Sequence, residues 1–253
     1  MIRTKVGAPS AELTECRMLF HGYYGSGKTH LMGTALRALT QNGRGLLIVV
    51  QGEPSLSTIQ GLDIPDLEVV VLESYNDVEL VAKEYAEAKL SVVGIDSITL
   101  LSDLAIDKVT GGKRAPGQKD AGGGNHDGRA EWGQVKSYFR VAVKQLQRLA
   151  PFCFAVCPSS KTENELTGAV SIAPDLPGKQ AIGIVGMWDY VAYVDYVPLT
   201  PTKVQRRAHF EPMGSTATRC NLPRPITKPI AIPEGGGGWQ AIAKEIMACR
   251  IPV

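Results

Sequence analysis

Eight consecutive residues, Gly22-Tyr23-Tyr24-Gly25-Ser26-Gly27-Lys28-Thr29, constrain this chain more than any other feature. They complete the pattern G-x-x-x-x-G-K-[ST], behind the apolar run Met18-Leu19-Phe20 and ahead of a helix-period stretch over 30–39. Strand, Gly-rich turn and helix in that order make a nest for anions. Gly22, Gly25 and Gly27 let the backbone turn its N–H groups inward, those of Ser26 and His30 included, and the helix N-terminus adds positive potential. Lys28 is then placed to reach the β- and γ-phosphates of a nucleotide, and the Thr29 hydroxyl to ligate Mg²⁺. The alternative is a Gly-rich turn with no ligand, and the flanking strand and helix weigh against it.

The rest of the chain repeats that rhythm. Apolar runs over 17–22, 46–51, 67–72, 91–96 and 152–157 predict strands separated by amphipathic stretches. Over 77–89, for example, Val78, Val81, Ala82 and Tyr85 recur at helical spacing after a cap at Asn76 or Asp77. Such alternation predicts an α/β fold of three layers, a mainly parallel sheet covered on both faces. The runs 190–197 and 204–210 have no helix between them and predict an antiparallel extension at one edge. Two segments interrupt the pattern: 108–128, rich in Gly and Lys, and 161–178, polar and turn-rich. Loops of that length in a compact domain are functional or disordered.

Composition excludes several classes. With 253 residues, 44% hydrophobic and 21% charged, the chain is neither collagen-like nor a coiled coil nor wholly disordered, and a single core suffices for stability. Cys16, Cys153, Cys157, Cys220 and Cys249 are scattered and show no C-x-x-C pair, which predicts free thiols in a reducing compartment. No stretch approaches the ~20 apolar residues of a membrane span, so a cytoplasmic protein without a membrane partner is expected. A net charge of +2 says nothing about nucleic acid unless the charge is concentrated somewhere.

Two carboxylates belong with the phosphate loop. Asp96 ends the apolar run Val92-Val93-Gly94-Ile95, the position from which an aspartate holds Mg²⁺ in P-loop enzymes. Glu53 follows Leu47-Ile48-Val49-Val50-Gln51-Gly52, at the strand end where open α/β sheets place ligands, and there it can polarise an attacking water. A turn aspartate and an exposed loop glutamate are the respective alternatives.

Phosphate loop, strand ending near Glu53, strand ending in Asp96-Ser97, Gly-rich loop, long helix, strand, polar loop and late antiparallel strands: this order resembles the RecA-type ATPase core. It is more closely similar to phage-encoded minimal RecA-like ATP-binding and single-strand annealing proteins, with Pro174-Asp175-Leu176-Pro177-Gly178-Lys179 resembling a turn of that group. The resemblance covers about residues 15–225. It implies a RecA-like P-loop NTPase core over 16–230, preceded by an arm over 1–15 and followed by a Gly-rich linker and short helix over 231–253. It further implies ATP hydrolysis with Mg²⁺, with Lys28 and Thr29 on phosphate and metal, Asp96 on Mg²⁺ and Glu53 as base. Ser160 and Lys161 would sense the γ-phosphate, and Arg219 would complete the site of a neighbouring subunit in a filament or ring. A cross-strand ion pair explains Arg219 equally well. The length leaves no room for the additional DNA-binding domains of full recombinases.

The resemblance also places a first DNA loop at 108–128, which carries Lys108, Lys113, Arg114, Lys119 and seven glycines. A flexible basic loop can follow a single-stranded DNA backbone, and a solvated insertion is the alternative. On the helix after it, Lys136, Arg140, Lys144 and Arg148 recur every four residues; of these, Lys136 and Arg140 are the candidate DNA contacts, against a plain solvated face. The expected protein is therefore a single-stranded-DNA-stimulated ATPase of phage-type recombination or annealing, with a single-strand-binding protein as a further partner. A small-molecule P-loop kinase and an ATP-switched assembly protein with little turnover are the rivals.

Overall fold

The computed structural model describes residues 13–53, 56–118, 127–165, 167–212 and 215–250. In chain order the elements are β1 (Cys16–Gly22), α1 (Lys28–Leu39), β2 (Gly45–Val50), α2 (Leu56–Gln60), β3 (Leu67–Leu72), α3 (Tyr75–Glu84), β4 (Val92–Asp96), α4 (Ile98–Thr110) and α5 (Gly128–Gln147). Then follow β5 (Phe152–Glu163), β6 (Val170–Pro174), α6 (Gln180–Val185), β7 (Tyr190–Thr200), β8 (Lys203–His209), β9 (Ser215–Thr216), β10 (Arg219–Cys220), β11 (Ile230–Ile232) and α7 (Gly238–Arg250).

The main sheet runs β11-β8-β7-β1-β5-β4-β2-β3. From β7 to β3 every neighbouring pair is parallel, whereas β8 and β11 continue the sheet antiparallel. The antiparallel extension expected for both late strands thus begins one strand later: β7 belongs to the parallel body, because α6 supplies the connection that brings it beside β1.

Period-2 alternation divides the core. In β1, Met18 and Phe20 pack on one face and Leu19 on the other; in β2, Leu47 and Val49 oppose Leu46, Ile48 and Val50. One face is covered by α3, α4, α5 and α6, the other by α1, α2 and α7. Strands buried on both faces explain why these runs are apolar throughout rather than alternating.

Local differences from the sequence reading have identifiable causes. Helix α3 starts two residues earlier than expected, because the Asp77 carboxylate accepts from the backbone N–H groups of Glu73 (2.9 Å) and Ser74 (2.7 Å) and closes the first turn from inside. Helix α5 takes in the last residue of the expected 108–128 loop, starting at Gly128, where the Asp127 carboxylate accepts from the N–H groups of Arg129 and Ala130. The polar stretch 161–178 is not an open loop. Strand β5 continues to Glu163 and β6 returns antiparallel on it, with β9 alongside β6. Nor does the glycine run 235–238 behave as a free linker: Trp239, Ile242 and Ile246 of α7 are buried, Trp239 meets Phe154 edge-on at 4.8 Å, and the Trp239 backbone N–H donates to Thr34 Oγ1 at 2.9 Å. No helix among the described residues is long and apolar enough to cross a membrane.

Candidate functional site

The C-terminal ends of β1, β2, β4 and β5 open on one edge of the sheet, where α/β folds place ligands. A cavity of about 500 Å³ lies there. Gly25, Gly27, Lys28, Thr29 and His30 line it, together with Glu53 from beyond β2 and Asp96 and Ser97 from the end of β4. The sequence-predicted phosphate loop and both carboxylates therefore meet in one space, although 67 residues separate Thr29 from Asp96 along the chain.

The loop geometry follows from its glycines. Gly25 (φ +76°) and Gly27 (φ +92°) are left-handed, a region other residues enter at a cost, and a Cβ on Gly22 would fall 2.2 Å from the Val194 carbonyl. Lys28 is buried and donates to the carbonyls of Gly22 and Tyr23, both at 2.9 Å. Burial depresses its pKa, against the raising influence of Cys157, Asp96 and Glu53. The Thr29 hydroxyl donates to Asp96 Oδ2 at 3.1 Å, and Asp96 is itself buried. Beneath the loop, His21 sits between Ser159 Oγ (2.8 Å) and the Ala217 carbonyl (2.6 Å).

A nucleotide with Mg²⁺ fits this lining. Ser97 Oγ and Arg206 Nε, on two of the lining residues, are buried without a hydrogen-bond partner, which phosphate oxygens or their waters would supply. No cluster of three or more acidic, His or Cys side chains capable of holding a metal occurs among the described residues. With one hydroxyl and one carboxylate on offer, a bound Mg²⁺ would draw its remaining oxygens from phosphate and water, its usual habit in phosphoryl-transfer sites.

The far wall was not foreseen. Val204 and Arg206 of β8, Ile232 of β11, and Pro233, Glu234 and Gly235 after it close the cavity. Nothing in the sequence links positions near 205 or 233 to position 27; the pairing of β7 with β1, of β8 with β7 and of β11 with β8 brings them there. Other expected residues lie elsewhere. Ser160 and Lys161 are on β5 beyond the cavity, paired with β6; the β5 residues that line the cavity are Val156 and Pro158, and Ser159 meets His21 just before the phosphate loop. In its own chain Arg219 sits on β10 against Val191 of β7, outside the cavity lining.

Among the candidate DNA residues, Lys108 lies in the last turn of α4 and donates to Asn76 Oδ1 at 2.7 Å, so it is part of a helix rather than of a loop. Arg114 is not available as a free cation: its guanidinium pairs with both carboxylate oxygens of Glu131, and Gly117 N–H donates to the same group at 2.6 Å. This clasp folds the segment after α4 onto the start of α5. Lys113 is exposed, Lys119 lies outside the described residues, and Lys136 and Arg140 are exposed on α5. All five cysteines are free, and burial pushes the thiols of Cys153 and Cys157 up to about 12, as expected of core residues.

Comparison with solved structures finds the same fold in the KaiC-like protein PH0186 of the hyperthermophilic archaeon Pyrococcus horikoshii OT3. It covers 94% of this chain and 97% of that one, with a TM-score of 0.52 and 12% sequence identity. No curated protein matches. A family model described as AAA domain (AAA_24) matches residues 14–219, from the strand before the phosphate loop to β10. That span is well over half of the sequence, so the chain belongs to the AAA domain family and is built on a P-loop ATPase core of RecA-like fold.

Proposed function

We propose that this protein binds and hydrolyses ATP with Mg²⁺ and couples that cycle to single-stranded DNA, in recombination or annealing of the phage type. One observation carries the nucleotide half of the reading, the convergence of Lys28, Thr29, Glu53 and Asp96 on one cavity at the edge of the parallel sheet. In this reading the backbone of Gly25, Ser26, Gly27 and His30 holds the α/β-phosphates, and Lys28 exchanges its carbonyl partners for β/γ-phosphate oxygens. Thr29 and Asp96 hold Mg²⁺, which neutralises charge on the β- and γ-phosphates when bound. Glu53, whose side chain shares the cavity with Lys28, orients the attacking water and takes its proton.

The DNA half is supported by the exposed cations of α5, Lys136 and Arg140, with Lys113 and Lys119 on the segment before it. Assembly into a filament or ring would bring Arg219 to the site of a neighbour, where an arginine in trans raises hydrolysis by orders of magnitude. ATP turnover measured with and without single-stranded oligonucleotide, across a salt series, tests the whole reading. Stimulation at low salt that fades as salt rises supports it; turnover indifferent to DNA removes the DNA half, and an absence of turnover removes hydrolysis.

A further inference from the structure

We infer that Arg206 is the chain's own grip on the α/β-phosphates, a contact made within one subunit and shared equally by ATP and ADP. The inference rests on the nucleotide reading above and deepens it.

The sheet sets where Arg206 stands. It faces Tyr196 on β7 and Ile232 on β11, and Gln205 Nε2 donates to the Ile232 carbonyl at 3.0 Å, tying the two edge strands together beside it. Neighbouring strand residues point to opposite faces, and the two arginines divide accordingly. Arg207 turns to Asp195, giving it two hydrogen bonds of 3.0 and 2.7 Å. Arg206 turns over the phosphate loop and lines the cavity.

Contact with the loop is close. A Cβ on Gly27 would meet Arg206 Cδ and Nε, each at 2.7 Å, so the glycine leaves the room that the arginine stem fills. Arg206 Nε is buried with no hydrogen-bond partner, a guanidinium donor that an anion in the cavity would satisfy.

These contacts fix which phosphates are reached. Lys28, directed to the β/γ end, lines the cavity together with Asp96 and Glu53. Arg206 instead lies against Gly27, a position of the loop whose backbone N–H groups cradle the α/β-phosphates. A diphosphate presents that end in full, so the contact does not distinguish substrate from product. Because Arg206 comes from the same chain, it also needs no neighbouring subunit.

Equilibrium titration with fluorescent mant-ADP and mant-ATP, in the presence of Mg²⁺, tests the assignment on wild type, Arg206→Ala, Arg206→Lys and Lys28→Ala at two protein concentrations. Loss of a charge-assisted contact predicts that Arg206→Ala weakens both nucleotides by a common factor of about ten or more, the same at both concentrations. Arg206→Lys recovers part of it, since an ammonium lacks the fork of a guanidinium. Should Arg206→Ala fail to fold, as judged by circular dichroism, Arg206→Lys and Arg206→Gln carry the comparison. Unchanged affinities, or a loss confined to mant-ATP, overturn the assignment while leaving the nucleotide site standing. Wild type that binds neither nucleotide overturns the nucleotide reading itself.

Discussion

Acidification should expose a weak point directly under the phosphate loop. His21, the residue before Gly22, is fully buried, with Nε2 2.6 Å from the Ala217 carbonyl and Nδ1 2.8 Å from Ser159 Oγ. A carbonyl only accepts, so Nε2 carries the proton and Nδ1 accepts from the Ser159 hydroxyl. A second proton would reverse the Ser159 bond, with Nδ1–H donating to Oγ, and place a charge in a sealed space. Burial is the main reason why the pKa falls from 6.5 to about 4; the Ala217 carbonyl opposes that shift and the nearby Lys28 ammonium adds to it. The unfolded chain takes up this proton near pH 6.5 and the folded chain only near 4, so the stabilisation is complete above 6.5 and drains away as the pH falls towards 4. At 1.36 kcal/mol per pH unit, the loss across that window is about 3 kcal/mol. Urea denaturation of wild type and His21→Gln between pH 7.5 and 4 reads it. Glutamine keeps a donor for Ala217 and an acceptor for Ser159 but does not titrate, so the variant should be less stable at neutral pH and lose about 3 kcal/mol less on acidification. His30 and Asp195, which also carry shifted pKa values, are present in both proteins and cancel in the difference. Parallel decline of the two proteins would refute the reasoning.

Other perturbations separate catalysis, binding and packing. Glu53→Gln should lower ATP turnover by about 100-fold or more while leaving mant-ATP affinity within a few-fold of wild type, by steady-state assay and titration. Gly22→Ala places a methyl 2.2 Å from a backbone carbonyl, so nucleotide binding should be lost and stability should fall by about 1–3 kcal/mol in thermal denaturation. Arg114→Gln breaks the clasp to Glu131 and should cost about 1–3 kcal/mol without changing the salt dependence of DNA binding. Lys136→Gln and Arg140→Gln should do the reverse, each reducing the slope of log K against log salt by about 0.7 if it contacts a phosphate. Trp239→Ala should cost about 3–5 kcal/mol by loosening α7 from α1 and Phe154, measured by urea denaturation.

Whatever depends on neighbours in the chain was legible from the sequence alone. The phosphate loop is eight contiguous residues whose chemistry is local, and the alternation of apolar runs with helix-period stretches sufficed for a three-layer sheet. Asp96 and Glu53 were readable because a strand end is itself a local address. Contacts between distant segments were decided by tertiary structure. Arg114 looked like a free cation until Glu131, 17 residues on, was brought against it. Lys161 looked like part of a loop until β6 paired with its strand, and the last helix looked detached until Trp239 reached Phe154, with which it shares no sequence signal. Arg206 and Arg207 make the same point most simply. Adjacent and chemically alike, they were given opposite surroundings by the pleat of β8, one facing Asp195 and the other Gly27, and only the pairing of β8 with β7 and β11 determines which face each receives.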